Sequence, residues 1–288
     1  MKIIILGSQG MAGHMVYDYL KTNTTHQIFS ASRKKSSNKS HIEFNASDFS
    51  FLEKRLLEIH PDVIVNLVGV LVKDSSNNLK NAIEINSLFP LRLNKFCELN
   101  NIYLIHLSTD CVFDGKAGSY NLSSTKNALD NYGMTKNLGE FISTKNLVIR
   151  TSIIGPEIKA EGVGLFHWFM QENNQLTGYK NAYWSGVTTL FLAKFIVYLI
   201  KHRLSGLIHL TNNDKISKYD LLVIFNRLWK KNKNEIISDF KYKIDKSLIS
   251  YNSKIYDQVP DYVTMFNNLR DYMSIDSKKR YQKYNEFS

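Results

Sequence analysis

Cysteine is scarce in this chain, and its scarcity excludes two kinds of scaffold. Only Cys97 and Cys111 occur in 288 residues, too few for a disulfide framework or for a four-ligand zinc site built from cysteine. We interpret both as reduced, partly buried thiols, and we expect no metal. Proline is rare as well, with 4 residues beside a hydrophobic fraction of 43%, so the composition is that of a globular protein.

Long hydrophobic runs are also missing. The longest, Leu190 to Ile200, is interrupted by Lys194, whereas a membrane-spanning helix needs about 20 apolar residues. Met1 leads directly into an apolar segment, without the regions that make up a secretion signal. We therefore expect a soluble cytoplasmic protein with no membrane partner.

Acidic residues are outnumbered, with Asp+Glu 26 against Lys+Arg 37 and a net charge of +11. Such a balance can indicate nucleic acid, an anionic membrane or ligands that carry phosphate. The positive charge is spread over short runs, for example Arg33 to Lys35 and Lys201 to Arg203, and no run is interleaved with aromatic residues in a recognisable nucleic-acid motif. We interpret these runs as solvated surface and predict no nucleic-acid partner.

The chain does contain a glycine-rich turn between a predicted strand and a predicted helix. Ile3 to Leu6 is an apolar run typical of a buried parallel strand. A glycine turn that opens a helix presents backbone N–H groups and a positive helix end to a pyrophosphate. We predict that this turn binds a dinucleotide through Gly7, Gly10, Met11 and Gly13. Their G-x-x-G-x-x-G spacing differs from the usual G-x-G-x-x-G, and a purely structural turn is the alternative.

Strands and helices alternate along the first half of the chain. After the first strand, further strands are predicted at residues 26–31, 41–45, 63–69, 102–107 and 147–150. Strict alternation with helical patterns predicts an α/β fold with a doubly wound parallel Rossmann sheet. Leu79 to Leu99 is predicted as one long helix that Pro90 kinks. We assign Asn66, Leu67 and Val68, which end a buried strand, to the cofactor site.

No acidic residue follows the second predicted strand, where the sequence reads Ser32-Arg33-Lys34-Lys35. In dinucleotide-binding units an acidic residue at this point binds the ribose hydroxyl of NAD, whereas a basic residue accommodates the 2′-phosphate of NADP. The sequence therefore favours NADPH with Arg33 as the phosphate contact, and NADH stays open. The alternative is that Arg33 belongs to an ordinary solvated loop.

A Tyr and a Lys one helical turn apart point to a specific chemistry. Tyr132 and Lys136 project from one face of a helix predicted from 131 to about 144. A tyrosine has a pKa near 10, so it is a poor proton shuttle unless a nearby cation such as Lys136 favours its anion. Thr109 would hold the substrate oxygen while Tyr132 passes a proton and hydride moves from a nicotinamide. Asn86 could anchor a water that relays protons through Lys136.

Three segments of the chain resemble the dTDP-4-dehydrorhamnose reductase branch of the extended short-chain dehydrogenase/reductase superfamily, over residues 1 to about 210. They are Pro61 to Asn66, Leu107 to Gly115 and Tyr132 to Lys136. The resemblance implies NAD(P)H-dependent reduction of the 4-keto group of a nucleoside-diphosphate 4-keto-6-deoxysugar for surface polysaccharide synthesis. It implies Thr109 as the hydroxyl donor, with Ser108 as a close competitor. It also implies Tyr132 as the acid, Lys136 as its assistant, and a homodimer.

Three departures from the family pattern leave the sugar open. Cys111 stands where the branch usually has Tyr, and Asn45 replaces an Asp near the adenine. Residues 183–189 replace an Asp-Gln-x-Gly-x-Pro-Thr segment. A reductase of a UDP-linked N-acetylated 4-keto-6-deoxyhexose is therefore an alternative.

Two other functions are less favoured by the sequence. A sugar-nucleotide epimerase would hold NAD tightly and would need an acidic residue where Arg33 stands. A non-catalytic regulatory subunit would have no chemical need for both Tyr132 and Lys136.

The substrate side of the site is less defined by the sequence. We assign Asp110, Cys111, Arg150 and Trp184 to substrate binding. Asp110 could instead bond the backbone of its own turn, Arg150 could be a structural charge at a strand end, and Trp184 could belong to a loop that stabilises the fold.

Two domains are predicted. Residues 1–150 and 186–210 form the dinucleotide-binding Rossmann domain, and residues 151–185 and 211–288 form a smaller, C-terminal substrate-binding lobe. The sugar nucleotide is expected in the cleft between them.

Overall fold

The computed structural model describes residues 1–230, 232–275 and 280–285. The strands are β1 Lys2–Leu6, β2 Gln27–Ser32, β3 His41–Glu43, β4 Val63–Asn66, β5 Tyr103–Leu107, β6 Leu147–Arg150, β7 Ile153–Ile154, β8 Gln175–Trp184, β9 Val187–Thr188, β10 Gly206–His209, β11 Ile216–Ser217 and β12 Glu235–Asp245. The α-helices are α1 Met11–Asn23, α2 Phe49–Ile59, α3 Val72–Asn77, α4 Leu79–Ala82, α5 Phe89–Leu99, α6 Asn131–Leu138, α7 Leu165–Gln171, α8 Thr189–His202, α9 Lys218–Trp229, α10 Ser253–Tyr256, α11 Tyr262–Ser274 and α12 Gln282–Asn285. A π-helical turn, Ile83–Leu88, joins α4 to α5, and a 3₁₀ turn, Asp110–Val112, follows β5.

The main sheet has seven strands in the order β10-β6-β5-β4-β1-β2-β3. Neighbouring strands from β6 to β3 pair in parallel. This order reverses direction between β1 and β4, as in doubly wound sheets that bind ligands at the carboxyl ends of their strands. The predicted α/β fold with a doubly wound parallel Rossmann sheet is confirmed.

The two strands at the reversal are buried from end to end. Ile3 to Leu6 of β1 and Val63 to Val65 of β4 are fully buried. Strands covered on both faces need apolar side chains at every position, which explains their continuous hydrophobic runs. Leu6 lies opposite Asn66, so β1 and β4 end at the same level and their following loops start side by side.

Contacts divide the chain into two compact units, each assembled from three stretches. The first unit is Met1–Asp114, Thr125–Arg150 and Leu192–Ile208, and the second is Gly115–Ser124, Thr151–Phe191 and His209–Ser288. The predicted roles of the two domains stay predictions: a cofactor domain for residues 1–150 and 186–210, and a substrate lobe for residues 151–185 and 211–288. Residues 231, 276–279 and 286–288 of that predicted lobe lie outside the described residues.

The second unit has its own small sheet. Strand β8 lies between β11, which is antiparallel to it, and β12, which is parallel to it. Phe166, Phe225, Trp229 and Phe266 pack beside this sheet as an aromatic cluster. Neither β8 nor β12 is predicted from the sequence. Strand β12 is largely exposed and rich in charge, and it lacks the alternation that identifies a half-buried strand.

The segment from Leu79 to Leu99 is helical as predicted, but the middle of it forms the π-helical turn instead of an α-helix. Pro90 has no N–H, so it cannot bond the carbonyl of Asn86 four residues earlier. The next α-helix starts with this proline in its first turn. The helix predicted from 131 to 144 is also shorter, since α6 ends at Leu138 with Gly139 as its cap. A Cβ on Gly139 would overlap the Asn86 carbonyl oxygen. The π-helical turn and the end of α6 therefore lie in direct contact.

Among the residues that the structure describes, no helix combines the length and the hydrophobicity needed to cross a bilayer.

Candidate active site

The glycine turn after β1 has a backbone that only glycine fits. Gly7 has a φ of +80°, in the left-handed region that other residues avoid. A Cβ on Gly13 would overlap the Gly7 carbonyl oxygen, so the first turn of α1 packs directly on the turn that precedes it. The N–H groups of Gly7 and Ser8 both donate to the Ala31 carbonyl, at 2.9 and 3.1 Å, which holds the turn against β2.

This turn fits the pyrophosphate of a dinucleotide. Gly10 is the N-cap of the 13-residue helix α1 and makes no side-chain cap bond. The N–H groups at Met11 and the next two residues begin the helix and have no acceptor in a preceding helical turn. They point outward at the positive end of the helix dipole, the usual geometry for an anion.

The loops after β2 and β4 flank the glycine turn. Arg33 is exposed directly after β2, beside the strand that carries the turn. At the other side, Asn66 is fully buried: its Oδ1 accepts from the Val68 N–H at 3.1 Å and its amide group contacts His106 Nδ1 at 3.0 Å. A Cβ on Gly7 would lie 2.9 Å from the Leu67 carbonyl oxygen. Since the Asn66 side chain is engaged within the protein, the main chain of 67–68 is the part of this loop that faces the turn.

Thr109 and Tyr132 come together at the carboxyl end of β5. The Thr109 hydroxyl accepts from the Cys111 N–H at 3.1 Å and so caps the 3₁₀ turn, and it donates to Asp110 Oδ1 at 3.1 Å. It also lies close enough to the Tyr132 phenol to lower the pKa of that group. Gly133 makes this contact feasible, because any Cβ there would overlap the Cys111 carbonyl oxygen as α6 packs on the 3₁₀ turn.

The Tyr132 phenol is kept protonated by its surroundings. Burial raises its pKa well above the usual value, the negative charge of Cys111 as thiolate and of Asp110 and Asp130 would raise it further, and the nearby Thr109 hydroxyl lowers it. A phenol in this state is a proton donor and not a base.

Lys136 lies one turn further along α6, as predicted from the spacing. Its ammonium is buried and donates to the Leu107 carbonyl at 2.8 Å. Burial lowers the pKa of Lys136 to about 8, and the negative charge of Glu140 opposes that fall. His106, next to Leu107, is held neutral because burial and the charge of Lys136 both lower its pKa.

Glu140 is the residue of this region that the sequence analysis missed. Its carboxylate accepts from Arg150 Nε at 2.7 Å and Nη2 at 2.6 Å, and from the Ser108 hydroxyl at 2.6 Å. Ser108 is thus engaged with Glu140, whereas Thr109 contacts Tyr132. The buried ion pair with Glu140 fits the alternative role of Arg150, that of a structural charge at the end of β6. The spacing of four residues between Lys136 and Glu140 is the signal that could have pointed to it.

Asn86 holds two elements together. Its side chain accepts from the Val70 N–H at 2.8 Å and donates to the Val70 carbonyl at 3.0 Å and to the Thr135 hydroxyl at 3.1 Å. These bonds tie the loop after β4 to α6, the helix of Lys136. The predicted role of Asn86 in a water relay stays a prediction.

The remaining predicted substrate residues differ in their surroundings. Cys111 is half-buried next to Tyr132. Trp184 lies in β8 of the second unit, where it is buried against Tyr262 and Phe266. Its indole nitrogen has no hydrogen-bond partner among the described residues. Within the same residues, no group of three or more His, Cys, Asp or Glu is arranged to hold a metal ion.

Comparisons with known proteins identify the family of the chain. A family model described as the RmlD substrate binding domain matches residues 1–241. The chain is similar to a dTDP-4-keto-6-deoxy-D-glucose reductase of Streptomyces niveus, with 29% identity over 141 residues that cover 46% of this chain and 48% of that protein. It is also similar to methionine adenosyltransferase 2 subunit beta of Bos taurus, with 26% identity over 163 residues, or 55% of this chain and 48% of that protein. The chain spans about half the length of these curated relatives.

The fold is shared with solved structures. A dTDP-4-dehydrorhamnose reductase from Bacillus anthracis, in complex with NADP, superimposes with a TM-score of 0.79 at 18% identity, over 94% of this chain and 99% of that chain.

Proposed function

Because the chain belongs to the RmlD substrate binding domain family, we propose that it reduces the 4-keto group of a nucleoside-diphosphate 4-keto-6-deoxysugar with NADPH. The Streptomyces niveus relative is named as a reductase of a dTDP-linked sugar of this kind, and the Bacillus anthracis structure contains NADP. Surface polysaccharide synthesis is the process in which such a product is used. The homodimer implied by the family resemblance stays a prediction.

One observation carries the proposal: a protonated phenol beside a threonine hydroxyl lies on the helix that also carries a buried ammonium. Thr109, at the carboxyl end of β5, lies close enough to Tyr132 to lower its pKa, and Lys136 is anchored to the same strand end through Leu107. The glycine turn follows β1, which is separated from β5 by β4 alone in the sheet.

Each of these side chains has a separate role in the proposed reduction. NADPH supplies a hydride when it is bound. The Thr109 hydroxyl orients the ketone oxygen by a hydrogen bond, and Tyr132 donates its proton to that oxygen as negative charge develops on it. The Lys136 ammonium stabilises the phenolate that remains, because a nearby positive charge favours the anion of a tyrosine.

Arg33 supports the choice of NADPH over NADH. It is exposed at the end of β2, the position from which a basic side chain reaches the 2′-phosphate of NADP in sheets of this order.

The proposal is tested by mixing the purified full chain with NADPH and two keto-sugars in separate reactions and following the loss of absorbance at 340 nm. One substrate is dTDP-linked 4-keto-6-deoxyglucose or its epimerised form, and the other is a UDP-linked N-acetylated 4-keto-6-deoxyhexose. We expect oxidation of NADPH with the dTDP-linked sugar, and activity on the UDP-linked sugar alone would select the alternative. No oxidation with either sugar would contradict a reductase function.

A second candidate function is that of a non-catalytic partner subunit. It is favoured by one observation, the similarity to a protein that is named as a subunit of another enzyme. A scaffold would bind its partner equally well with Phe in place of Tyr132, whereas a reductase with that change would lose turnover.

A further inference from the structure

One buried carboxylate connects the ends of two neighbouring strands beside the candidate catalytic residues. Glu140 lies just beyond the end of α6, and its side chain is only 3% exposed. Its oxygens accept from Arg150 at the end of β6, from the Ser108 hydroxyl after β5, and from the Lys126 ammonium at 3.3 Å. All four residues belong to the first unit.

Stability alone does not account for this arrangement. Removing two opposite charges from water costs more than their attraction usually returns, so a buried ion pair is weak evidence for a stabilising role. Burial would raise the pKa of Glu140, but the hydrogen bonds and charge of Arg150 outweigh it and hold this carboxyl ionised. The fold thus maintains a full negative charge at this place.

The position of that charge relates it to the candidate site. Three consecutive residues at the carboxyl end of β5 are each anchored differently. The Leu107 carbonyl accepts from Lys136, the Ser108 hydroxyl donates to Glu140, and the Thr109 hydroxyl accepts from the Cys111 N–H. The Ser108 bond holds the middle of this run. The Ser108 N–H also donates to the Ile149 carbonyl of β6 at 2.7 Å. Glu140 therefore adds a side-chain anchor to a backbone that positions both the Lys136 ammonium and Thr109.

We propose that Glu140 is the positioning residue for Lys136 and Thr109: its carboxylate fixes the strand end that both contact, and its charge balances the buried ammonium. This inference rests on the proposed reductase function, which gives Lys136 and Thr109 their roles.

The charges around Lys136 set the direction of the expected effect. Burial lowers the pKa of Lys136 to about 8 and Glu140 opposes the fall, while His106 from β5 is neutral. Arg150 and Lys126 are the cations paired with Glu140. In Glu140→Gln the negative charge that opposes the effect of burial is lost, so Lys136 loses its proton at a lower pH.

The test has one readout that does not depend on turnover. Full-length protein labelled with ¹³C-lysine is titrated with pH, and the chemical shift of the Lys136 side chain is followed by NMR. This resonance is assigned by its loss in Lys136→Met. We expect a midpoint near pH 8 for wild type and one at least one pH unit lower for Glu140→Gln. The alkaline limb of kcat for the keto-sugar should move down with it, because the ammonium is the active form. NADPH affinity should stay within about threefold, since the glycine turn is untouched.

Two variants serve as controls. Glu98→Gln removes a similar carboxylate, which accepts from the Ser143 hydroxyl at 2.5 Å in the same unit, and it should leave the Lys136 titration and kcat unchanged. Glu140→Asp keeps the charge but shortens its reach, so the titration should stay near that of wild type while kcat falls. If Glu140→Gln does not fold because Arg150 is left unpaired, Glu140→Gln with Arg150→Met removes both charges, and the lowered Lys136 midpoint is expected there.

A folded Glu140→Gln or double variant in which Lys136 still titrates near pH 8, or in which kcat stays within twofold of wild type, would overturn the proposal. Absence of turnover in wild type would count against the reductase function alone, and the lysine titration would still decide the role of Glu140.

Discussion

At the scale of single residues, burial sets the protonation of the proposed proton donor, Tyr132, and of Lys136, which is proposed to stabilise its anion. It raises the pKa of the Tyr132 phenol and lowers that of the Lys136 ammonium to about 8. At neutral pH the phenol is therefore protonated and the lysine is charged. A ketone that takes up hydride must also take up a proton on its oxygen, so this is the state that reduction needs.

Replacing Tyr132 with Phe removes the proton donor and little else. We expect kcat to fall by about 10²- to 10⁴-fold, the usual contribution of a general acid, with NADPH affinity within about twofold of wild type. Stopped-flow turnover and quenching of protein fluorescence by NADPH measure the two quantities. Tyr179→Phe is the matched control, because Tyr179 is an exposed tyrosine of the second unit and should retain full turnover.

Replacing Arg33 with Ala tests the preference for NADPH. Loss of a charge-assisted contact to the 2′-phosphate should raise the KM for NADPH by about tenfold and leave that for NADH unchanged. Arg55→Ala, at an exposed arginine of α2, should change neither constant. An equal effect of Arg33→Ala on both cofactors would contradict the assigned contact.

At the scale of secondary-structure elements, the site depends on close approaches of the main chain. Helix α1 packs on the glycine turn at Gly13, and α6 packs on the 3₁₀ turn at Gly133 and on the π-helical turn at Gly139. Each contact excludes a Cβ, so the loops that carry Thr109 and the cofactor turn are held by backbone shape as well as by side chains.

Replacing Gly13 with Ala should disrupt the first of these approaches. The added Cβ overlaps the Gly7 carbonyl oxygen, so either α1 or the turn must move. We expect NADPH binding to fall at least tenfold and the unfolding temperature to drop, measured by calorimetry and fluorescence titration. Gly10→Ala is the comparison, because its Cβ would lie 3.3 Å from the same oxygen, and the protein should keep most of its stability.

The sequence predicts those elements that are specified by residues close together in the chain. The buried runs of β1 and β4 and the glycine turn are visible as patterns, because each is determined by residues next to one another in the chain. The spacing of Tyr132 and Lys136 is local for the same reason. The π-helical turn before Pro90, the early end of α6 and the role of Glu140 depend on contacts between distant segments, and no local pattern specifies them. Strand β12 is not predicted because its side chains are mostly exposed.

At the scale of the whole molecule, each compact unit is assembled from three stretches of chain. A single cut therefore cannot isolate either unit, and binding is best measured on the full chain. The family model extends over residues 1–241 and so includes parts of both units.

Binding of NADPH should stabilise the full chain against heat. A ligand that binds only the folded state adds about 2.7 kcal/mol at a free concentration of 100 times its Kd, so a clear rise in unfolding temperature is expected with NADPH. NADH at the same concentration should raise it less if Arg33 holds the 2′-phosphate. Differential scanning calorimetry with each cofactor checks this, and equal shifts would argue against the preference.

The most direct measurement is transfer of deuterium from NADPH labelled on the reactive carbon of its nicotinamide to the keto-sugar, followed by mass spectrometry of the product. If Thr109, Tyr132 and Lys136 promote ketone reduction, wild type will yield a sugar nucleotide that carries one deuterium at C4, and Tyr132→Phe will yield almost none. A product without deuterium, or equal labelling by both proteins, would contradict the account.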